Sequence, residues 1–345
     1  MNVEEIKNVC AMGTGAMGSG TALSFAMGGL NVWLCGRSQK SIDGAMENIH
    51  AALATFRKHK LIKKSDIPVI LGRIKTTTSR KEAAVGADLV IESVDEDLKL
   101  KQEIFAELDQ ICPSHTIFAT NTSGLSPTKI AEAIGDKRKK QFVVIHYWNP
   151  PWLMPLVEIV PGHHTSPATV KIACQLMQKI GKVPVSLKRE APGFIGNRLQ
   201  LALLREALHI VAKGIASAKE VDKVLQLTLG LRLPVTGILQ SVALGGPHIF
   251  EKIFGYLAHE LCNETGVPAL LQKAVAEGKN GAETKNNIFP WSARELTSKK
   301  EQRVRVIIKH IHGDLTRRRN STNQVARPSQ TVRARDGAAQ KLARL

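Results

Sequence analysis

His146 and Glu158 are the residues of this chain best suited to acid–base chemistry. His146 ends an apolar, strand-like run, and Glu158 lies within a second one at residues 156–160. Between them, Pro150 and Pro151 interrupt the strand pattern and predict that the chain turns back on itself. The reversal can bring the carboxylate against one imidazole nitrogen, where it fixes the tautomer and stabilises the protonated ring. We therefore predict that His146 exchanges a proton with a substrate through its other nitrogen, although a single histidine of this kind could also be a satisfied core residue.

A glycine-rich turn near the start of the chain favours the catalytic interpretation. Residues 6–12 read as a buried strand, and the turn Gly13-Thr14-Gly15-Ala16-Met17-Gly18 follows directly, before an apolar segment that can begin a helix. In this context the glycines permit a tight turn, a close approach of the backbone to a pyrophosphate, and close packing of the helix on the strand. The pyrophosphate would lie at the helix N-terminus. We therefore predict a dinucleotide site formed by Gly13, Gly15, Ala16, Met17 and Gly18.

The residues after the second strand indicate which dinucleotide binds. An NAD site usually places an acidic residue about 20 residues after the glycines. Gly36 occupies that position here, and Arg37 and Ser38 follow it. No carboxylate is present to repel a 2′-phosphate, and a guanidinium and a hydroxyl can bind one. We predict NADP(H) as the preferred cofactor and NAD(H) as the second choice; the alternative is that Arg37 points to solvent.

The overall composition is that of a globular protein. The 345 residues are 43% hydrophobic and 23% charged, and their number suggests about two domains. No apolar run approaches the roughly 20 residues of a membrane span, and the acidic N-terminus does not resemble a signal or transit peptide. The five cysteines are scattered, which argues against disulfides or a zinc site and for a reducing compartment. We expect a cytoplasmic protein with neither a metal nor a membrane partner.

Part of the net charge of +18 is concentrated at the C-terminus. Residues 317–345 contain eight Lys or Arg residues against Asp336 alone, and they show no apolar periodicity. We expect residues 313–345 to form a solvated, disordered tail. An arm that binds nucleic acid or a membrane surface is the less favoured alternative. The positive charge along the rest of the chain suits an acidic, phosphorylated ligand.

Strand and helix signals alternate over residues 1–190, which predicts an α/β Rossmann-type, doubly wound domain with a mainly parallel sheet. A helical excursion over residues 39–71 follows the second strand and carries basic faces. The pattern changes at Pro192: from Gly193 to Ala212 the apolar residues recur at helical spacing, and a capping box at residues 217–220 begins a further helix. We therefore predict an all-α C-terminal domain over residues 191–312, which binds substrate and forms the interface of a homodimer.

Three further polar residues lie at strand ends or helix starts, where α/β sheets bind ligands. Ser123 follows a strand, Asn149 follows His146, and Asn197 lies on the first turn of the helical domain, where it can face the cleft. Each of them, taken singly, could be an ordinary cap or turn residue.

Together these motifs resemble those of the 3-hydroxyacyl-CoA dehydrogenase family over residues 6–312. The resemblance rests on the glycine turn, Glu96 to Lys101, Asn121-Thr122-Ser123, His146 to Pro150, Pro155 to Glu158 and Pro192 to Leu199. It implies that His146 and Glu158 are the catalytic pair and that Ser123 and Asn197 polarise the substrate oxygen. It also implies cofactor contacts from Glu96, Lys101, Ser123 and Asn149.

The chain departs from the family pattern in three places. The usual Asp after the second strand is absent, and the Gly-x-Lys-Thr-Gly-x-Gly-Phe loop is degraded at residues 281–287. The stretch Pro234 to Ile238 lacks the common Gly-Pro. The last two changes could alter a cofactor contact and the substrate range without touching the chemistry.

We therefore predict an NAD(P)-dependent oxidoreductase that interconverts an L-3-hydroxyacyl-CoA and the 3-oxoacyl-CoA. Basic residues of the helical excursion could contact the CoA phosphates, namely Arg57, Lys58, Lys60 and Lys63. The family also includes lambda-crystallin-like gulonate dehydrogenases, so a small free 3-hydroxy acid is the alternative substrate. A non-catalytic, crystallin-like structural protein is the alternative of another class, and the intact set of four catalytic candidates argues against it.

Overall fold

The computed structural model describes residues 2–278, 288–289 and 291–325, with side chains as far as residue 311. The chain divides into two compact units, Met1–Thr297 and Ser298–Leu345. The first unit contains an eight-stranded sheet with the strand order β3-β2-β1-β4-β5-β6-β7-β8. The strands are β1 (Asn8–Met12), β2 (Asn31–Cys35), β3 (Ile74–Thr77), β4 (Leu89–Glu92), β5 (Ile117–Thr120), β6 (Phe142–Tyr147), β7 (Leu156–Pro161) and β8 (Val183–Ser186).

Helices separate these strands and make up the part of the chain that follows them. The helices that accompany the sheet are α1 (Ala16–Met27), α2 (Gln39–Lys58), α3 (Asp66–Leu71), α4 (Arg80–Ala84), α5 (Leu98–Ile111), α6 (Pro127–Ile130) with a 3-10 turn (Ala131–Ala133), α7 (Asp136–Lys139) and α8 (Pro167–Lys179). Those that follow are α9 (Gly196–Ala212), α10 (Ala218–Leu227), α11 (Leu229–Arg232), α12 (Ile238–Gly245), α13 (Pro247–Leu257), α14 (Ala269–Ala276) and α15 (Ala293–Val325). The predicted Rossmann-type sheet followed by a helical domain is confirmed.

The direction of the strands determines where a ligand can bind. Strands β1 to β6 run parallel to one another, β7 is antiparallel to β6, and β8 is parallel to β7. The loops that follow β1, β2, β4, β5 and β6 therefore leave the sheet at the same edge. Ligands of open α/β sheets bind at that edge, outside the carboxyl ends of the strands.

The central strands of the sheet are buried on both faces, as their apolar runs predict. Alternate residues of β1 point to opposite faces, because successive side chains of a strand alternate. Val9 packs in a core with α1, α2 and α8, whereas Cys10 packs in a second core with α4 and α5. Such two-sided burial explains why the strands read as continuous apolar runs.

The glycine turn between β1 and α1 has the backbone that its sequence predicts. Gly13 has a φ of +110°, and a Cβ there would lie 2.5 Å from the carbonyl oxygen of Ser93. A Cβ on Gly18 would lie 2.0 Å from the carbonyl oxygen of Gly13, so both positions exclude larger residues. By contrast, the space beside Gly15, the N-cap of α1, is open to 4 Å. The turn is therefore tight at its two ends and accessible in its middle.

The first helix of the helical domain begins at Gly196, three residues later than the apolar pattern predicts. Gly193 and Phe194 have φ values of +73° and +52°, so a left-handed turn precedes the helix. The ring of Phe194 is buried against Val144 and Val160 of β6 and β7. Burial of this ring explains why a non-glycine residue keeps a strained backbone. The turn fixes the helix start against the strands that carry His146 and Glu158.

Two predicted segments lie at the end of the described residues or outside them. Helix α15 includes residues 313–325, and the disorder expected for residues 313–345 stays a prediction. No proline occurs between Ala293 and Val325 to end the helix. The degraded loop at 281–287 and the remainder of the tail, residues 326–345, lie outside the described residues. Among the described helices, none is both long and apolar enough to cross a membrane.

Candidate active site

The predicted contact between His146 and Glu158 is present. The two residues face each other in the antiparallel register of β6 and β7, and His146 Nδ1 lies 2.8 Å from Glu158 Oε2. Both side chains are buried, with exposed fractions of 4% and 1%. An ionised carboxylate can only accept hydrogen bonds, so it places the hydrogen of the neutral ring on Nδ1 and leaves Nε2 as the acceptor. The sheet register thus supplies the tautomer that a general base needs.

Glu158 is held by more donors than His146 alone. Its Oε1 accepts hydrogen bonds of 3.0 Å from the backbone N–H groups of Ile195 and Gly196, and its Oε2 also accepts the Trp148 indole N–H at 3.3 Å. Burial by itself would raise the pKa of Glu158, but the bonds from His146 and the two backbone groups outweigh it and hold the pKa below its ordinary value. The carboxylate is therefore ionised beside the imidazole at neutral pH.

Aromatic rings enclose the imidazole. The rings of Trp148 and Phe194 lie with their centroids 5.5 and 5.4 Å from that of His146. A Cβ on Gly196 would lie 2.1 Å from the Trp148 ring, so only glycine fits between this ring and the first turn of α9. The rings exclude water from the pair and strengthen its electrostatic interaction.

Ser123 and Asn197 are brought together across the fold. The Asn197 Nδ2 donates a hydrogen bond of 2.8 Å to the backbone carbonyl of Ser123. Asn197 lies on the same turn of α9 whose backbone binds Glu158, and the hydroxyl of Ser123 belongs to an exposed residue. The two predicted oxygen-polarising residues are therefore neighbours, and they are linked to the His146–Glu158 pair through one turn of helix.

Glu96 supports the loop that carries Ser123. One carboxylate oxygen accepts from the backbone N–H of Ser123 at 2.8 Å and from the Thr122 hydroxyl. The other lies 3.4 Å from the ammonium of Lys101. These contacts join the loops after β4 and β5 at the edge of the sheet where the glycine turn also lies. Glu96 is itself partly exposed and can reach a ligand there.

Lys101 is buried, whereas the resemblance implies that it contacts the cofactor. Its side chain is 1% exposed, and its ammonium bonds the carboxylate of Glu92 at 2.7 Å and the carbonyl of Val94 at 3.4 Å. Glu92 is fully buried as well and accepts a second hydrogen bond from Thr120. The ammonium has no surface left for a direct cofactor contact, because a buried charge is retained only when it is paired. Lys101 instead positions Glu96 and the loop after β4.

The residues after β2 lie at the same edge but belong partly to the next helix. Gly36 is buried, whereas Arg37 and Ser38 are exposed. The Ser38 hydroxyl accepts from the Ser41 N–H and caps α2, so only its hydrogen remains available for a phosphate. Arg37 forms no ion pair with any described residue, and its guanidinium is therefore available to bind a phosphate. A Cβ on Gly36 would lie 2.8 Å from both Thr14 and Ile42 side chains, which keeps this position small.

Asn149 lies in the loop after β6 and lines a pocket of about 250 Å³. The other walls of the pocket come from α1, α2, Pro150 and Trp152. The loop is stabilised by Lys182, whose ammonium donates to the carbonyl groups of Pro151 and Met154 at 2.6 and 3.0 Å. The pocket thus lies between the start of α1 and one face of α2, and the basic residues of the helical excursion follow at the C-terminal end of α2.

Three site-forming residues were missed at the level of sequence. Glu92 could have been found, because a carboxylate within an otherwise apolar strand has to be paired. Asn121 accepts the Tyr147 N–H at 2.7 Å and ties β6 to the end of β5. Neither this bond nor the Trp148 contact with Glu158 follows from local pattern, since each depends on the packing of separate strands.

Comparisons with known proteins agree with this geometry. The sequence-family model of the 3-hydroxyacyl-CoA dehydrogenase NAD-binding domain matches residues 8–190. The family model of the C-terminal domain of the same enzymes matches residues 193–291. The human lambda-crystallin homolog is 38% identical over 68% of this chain and 74% of its own length. The 3-hydroxybutyryl-CoA dehydrogenase of Clostridioides difficile is 34% identical over 82% and 99%.

Solved structures resemble most of the chain as well, and one of them covers 89% of it. It is that of 5-formyl-3-hydroxy-2-methylpyridine 4-carboxylic acid 5-dehydrogenase, described as an NAD⁺-dependent dismutase. The TM-score is 0.82 at 28% sequence identity, over 89% of this chain and 99% of the other. A curated enzyme of nearly the same name, from Mesorhizobium japonicum, is likewise 28% identical, over 88% of this chain and 96% of its own length.

Proposed function

Because this chain belongs to the 3-hydroxyacyl-CoA dehydrogenase family and is an oxidoreductase acting on a CH–OH group, we propose that it interconverts an L-3-hydroxyacyl-CoA and the 3-oxoacyl-CoA. The observation that carries the proposal is the buried contact of 2.8 Å between His146 and Glu158. The glycine turn follows β1 at the same edge of the sheet, with β4 and β5 between β1 and the strand β6 that carries His146, and this shared edge supports the proposal.

The dinucleotide fits the residues of the turn. The open space beside Gly15 and the N-terminus of α1 accommodate a pyrophosphate, whereas the crowded Gly13 and Gly18 hold the turn in shape. Ala16 and Met17 complete the first turn of the helix. A dinucleotide held there would supply the acceptor for the hydride of the alcohol carbon. Glu96, Ser123 and Asn149 are the residues we assign to hold the dinucleotide at the other loops of this edge.

The chain's own residues handle the proton. His146 accepts the hydroxyl proton of the substrate at Nε2 during oxidation and returns it during reduction. The ionised Glu158 stabilises the imidazolium that forms, because it lies against Nδ1 in a buried site. Ser123 and Asn197 donate hydrogen bonds to the oxygen that becomes a carbonyl, and Glu96 holds the loop that carries Ser123.

Replacement of His146 by alanine tests this chemistry. General acid–base catalysis contributes about 10²- to 10⁴-fold, so the variant's kcat should fall by that factor while the dissociation constant of the cofactor stays unchanged. The control is His163→Ala, since this exposed histidine lies at the end of β7 opposite to the carboxyl edge. Near-native turnover in the His146 variant, with cofactor bound, would remove the assignment.

We propose NADP(H) as the preferred cofactor and NAD(H) as the second. The exposed guanidinium of Arg37 and the Ser38 hydroxyl lie at the N-terminus of α2, and the buried Gly36 replaces the acidic residue that would repel a 2′-phosphate. The similar pyridine carboxylate dehydrogenase is described as NAD⁺-dependent, so the preference proposed here would distinguish this chain from that enzyme.

The CoA thioester is proposed because of the pocket at Asn149 and the charge near it. The pocket is lined by α2, whose last turn carries Arg57 and Lys58, and the exposed Lys60 and Lys63 follow. Phosphate groups of CoA would be attracted to this basic end. A comparison of kcat/KM for acetoacetyl-CoA and free acetoacetate tests the idea, with Lys60→Ala/Lys63→Ala as the matched variant. Equal kcat/KM values for the two substrates would contradict the proposal that the substrate is a CoA thioester.

A small free 3-hydroxy acid is the second candidate substrate. The observation that favours it is the similarity to an enzyme named for a pyridine carboxylate rather than a thioester. In that case the double lysine variant should leave kcat/KM for the free acid unchanged. A crystallin-like protein without activity is the remaining alternative. Absence of turnover of both substrates by the wild-type protein would support it.

We also propose that the helical domain, residues 191–312, binds a second copy of this chain. Large apolar side chains of this domain are exposed, among them Leu199, Leu201, Val224, Leu227 and Tyr256 at 58–69%. Apolar surface of that extent marks an interaction site in a water-soluble domain. Light scattering should give the mass of a dimer for the wild type and of a monomer for Leu199→Lys.

A further inference from the structure

A group of metal-ligating side chains lies in the helical domain, away from the active site. His209 is on the last turn of α9, and Cys262 and Glu264 lie in the loop between α13 and α14. Each offers one ligand atom, and the three atoms all lie within 4.8 Å of one another. We propose that His209, Cys262 and Glu264 bind a divalent transition metal, with Zn²⁺ as the preferred ion. The scattered cysteines of the sequence gave no sign of this site.

Two further contacts bring the loop to the helix. The backbone N–H of Cys262 donates to Glu206 Oε2 at 2.8 Å, and Arg205 donates to the backbone carbonyl of Glu264 at 3.1 Å. Glu206 and Arg205 lie three and four residues before His209, so all three side chains leave neighbouring positions of one helix face. The loop is thus attached on both sides of Cys262 and Glu264 before any ion binds. Such attachment reduces the entropic cost of metal binding, because the loop is already ordered.

The set of ligands selects the type of metal. A thiolate and an imidazole are ligands of Zn²⁺ and related ions, whereas Mg²⁺ and Ca²⁺ prefer oxygen atoms alone. Bonds of about 2.0–2.3 Å in a tetrahedral zinc site place the ligand atoms roughly 3.5 Å apart. The side chains must therefore approach one another by about 1 Å, and the exposed Glu264 and the half-buried His209 can move by that amount. Water would complete the coordination.

The site acts on stability and not on the chemistry. Along α9, the 12 residues from Asn197 to His209 at about 1.5 Å each give roughly 18 Å between the metal and the oxygen-polarising turn. A metal at the end of α9 joins this helix to the loop before α14, as a cross-link that exists only in the folded chain. Binding to the folded state alone raises the unfolding temperature as the metal concentration rises. Turnover should not change.

Cobalt binding to the full-length protein, first dialysed against a chelator, tests the proposal. We expect one equivalent of Co²⁺ to give the thiolate-to-metal charge-transfer band and the intense visible bands of a tetrahedral site, and Zn²⁺ to abolish both. Cys262→Ser should lose the charge-transfer band. Cys174→Ser is the control, because this partly exposed thiol lies on α8 and should leave the spectrum unchanged. Absence of the band in the wild type, or its persistence in Cys262→Ser, would overturn the site.

A second variant guards against a folding defect. Glu264→Gln keeps the backbone carbonyl that binds Arg205, and its exposed side chain makes unfolding of the domain unexpected. We expect Zn²⁺ to raise the midpoint of thermal unfolding in the wild type and in Cys174→Ser, with a smaller rise in Glu264→Gln and none in Cys262→Ser. If Zn²⁺ raises none of the midpoints, the three residues do not form a metal site and the proposal fails.

Discussion

Asn197 donates a hydrogen bond of 2.8 Å to the backbone carbonyl of Ser123, although the two residues belong to different domains of the fold. Ser123 follows β5, and Asn197 lies on the first turn of α9. The next residue toward the N-terminus, Gly196, donates its backbone N–H to Glu158. A single turn of helix therefore holds both the carboxylate of the His146–Glu158 pair and the proposed site for the substrate oxygen.

Loss of the Asn197 amide should impair turnover and spare cofactor binding. Removal of one preorganised donor to a developing oxyanion costs about 10²-fold or more in kcat, and we expect a loss of that size in Asn197→Ala. Arg198→Ala is the matched control, since the neighbouring side chain is exposed and makes only a 3.4 Å bond to the Pro192 carbonyl. Steady-state kinetics of both variants, with cofactor titrations, make the comparison. Equal losses in the two would show that the turn is disturbed as a whole.

The charge of Glu158 should contribute to stability in a pH-dependent way. Its pKa is below the ordinary value of about 4.3 in the folded chain, so its contribution is present above that pH and is lost as the pH falls through the folded value. Glu158→Gln leaves buried donors without a charged acceptor, and we expect a loss of about 1–3 kcal/mol in the free energy of unfolding at pH 7. Urea unfolding of both proteins at several pH values measures the difference. It should shrink in acid, and a difference that grows there would contradict the assigned ionisation.

The central strands β4, β5 and β6 were predictable because they are buried on both faces, whereas the edge strands β3 and β8 are partly exposed. Apolar runs such as Phe142 to Ile145 have few interpretations when breakers bound them. The pairing of His146 with Glu158 was predictable for the same reason, since two strands joined by a prolyl loop bring residues into register. The glycine turn needs only local backbone geometry, which sequence specifies well.

What sequence could not give depends on packing between separate elements. Lys101 is a charged residue on a helix, a type that is almost always exposed, yet Glu92 and Val94 bury its ammonium. The start of α9 is displaced by the left-handed backbone at Phe194, whose cause is a pocket formed by Val144 and Val160. Periodicity cannot show either effect, because the partners are distant in the chain.

Arg37 should determine the choice of dinucleotide. A charge-assisted hydrogen bond is worth roughly 1.5–3 kcal/mol, so Arg37→Ala should weaken NADPH binding by about 10- to 150-fold and leave NADH nearly unchanged. Fluorescence titration with each cofactor measures both constants. Arg57→Ala, at the other end of α2, is the control for a general loss of positive charge. A wild type that prefers NADH would contradict the proposed cofactor. Gly36→Asp is a poorer test, because a Cβ there would crowd Thr14 and Ile42.

Lys182, which binds the loop of Asn149, should make a contribution to the free energy of unfolding that rises with pH. Burial lowers the pKa of its ammonium to about 8, whereas an unfolded lysine titrates near 10.4. Between these values the unfolded chain binds a proton that the folded chain does not, so the free energy of unfolding increases as the pH rises through this window. The ammonium lies 5.7 Å from the centroid of the Tyr147 ring, and Lys182→Met removes the titrating group but keeps an unbranched apolar side chain at this position. The wild-type free energy of unfolding minus that of the variant should therefore increase from pH 7.5 to 10. A constant difference would show that the ammonium keeps its proton in the fold and that the carbonyl groups of Pro151 and Met154 offset its burial.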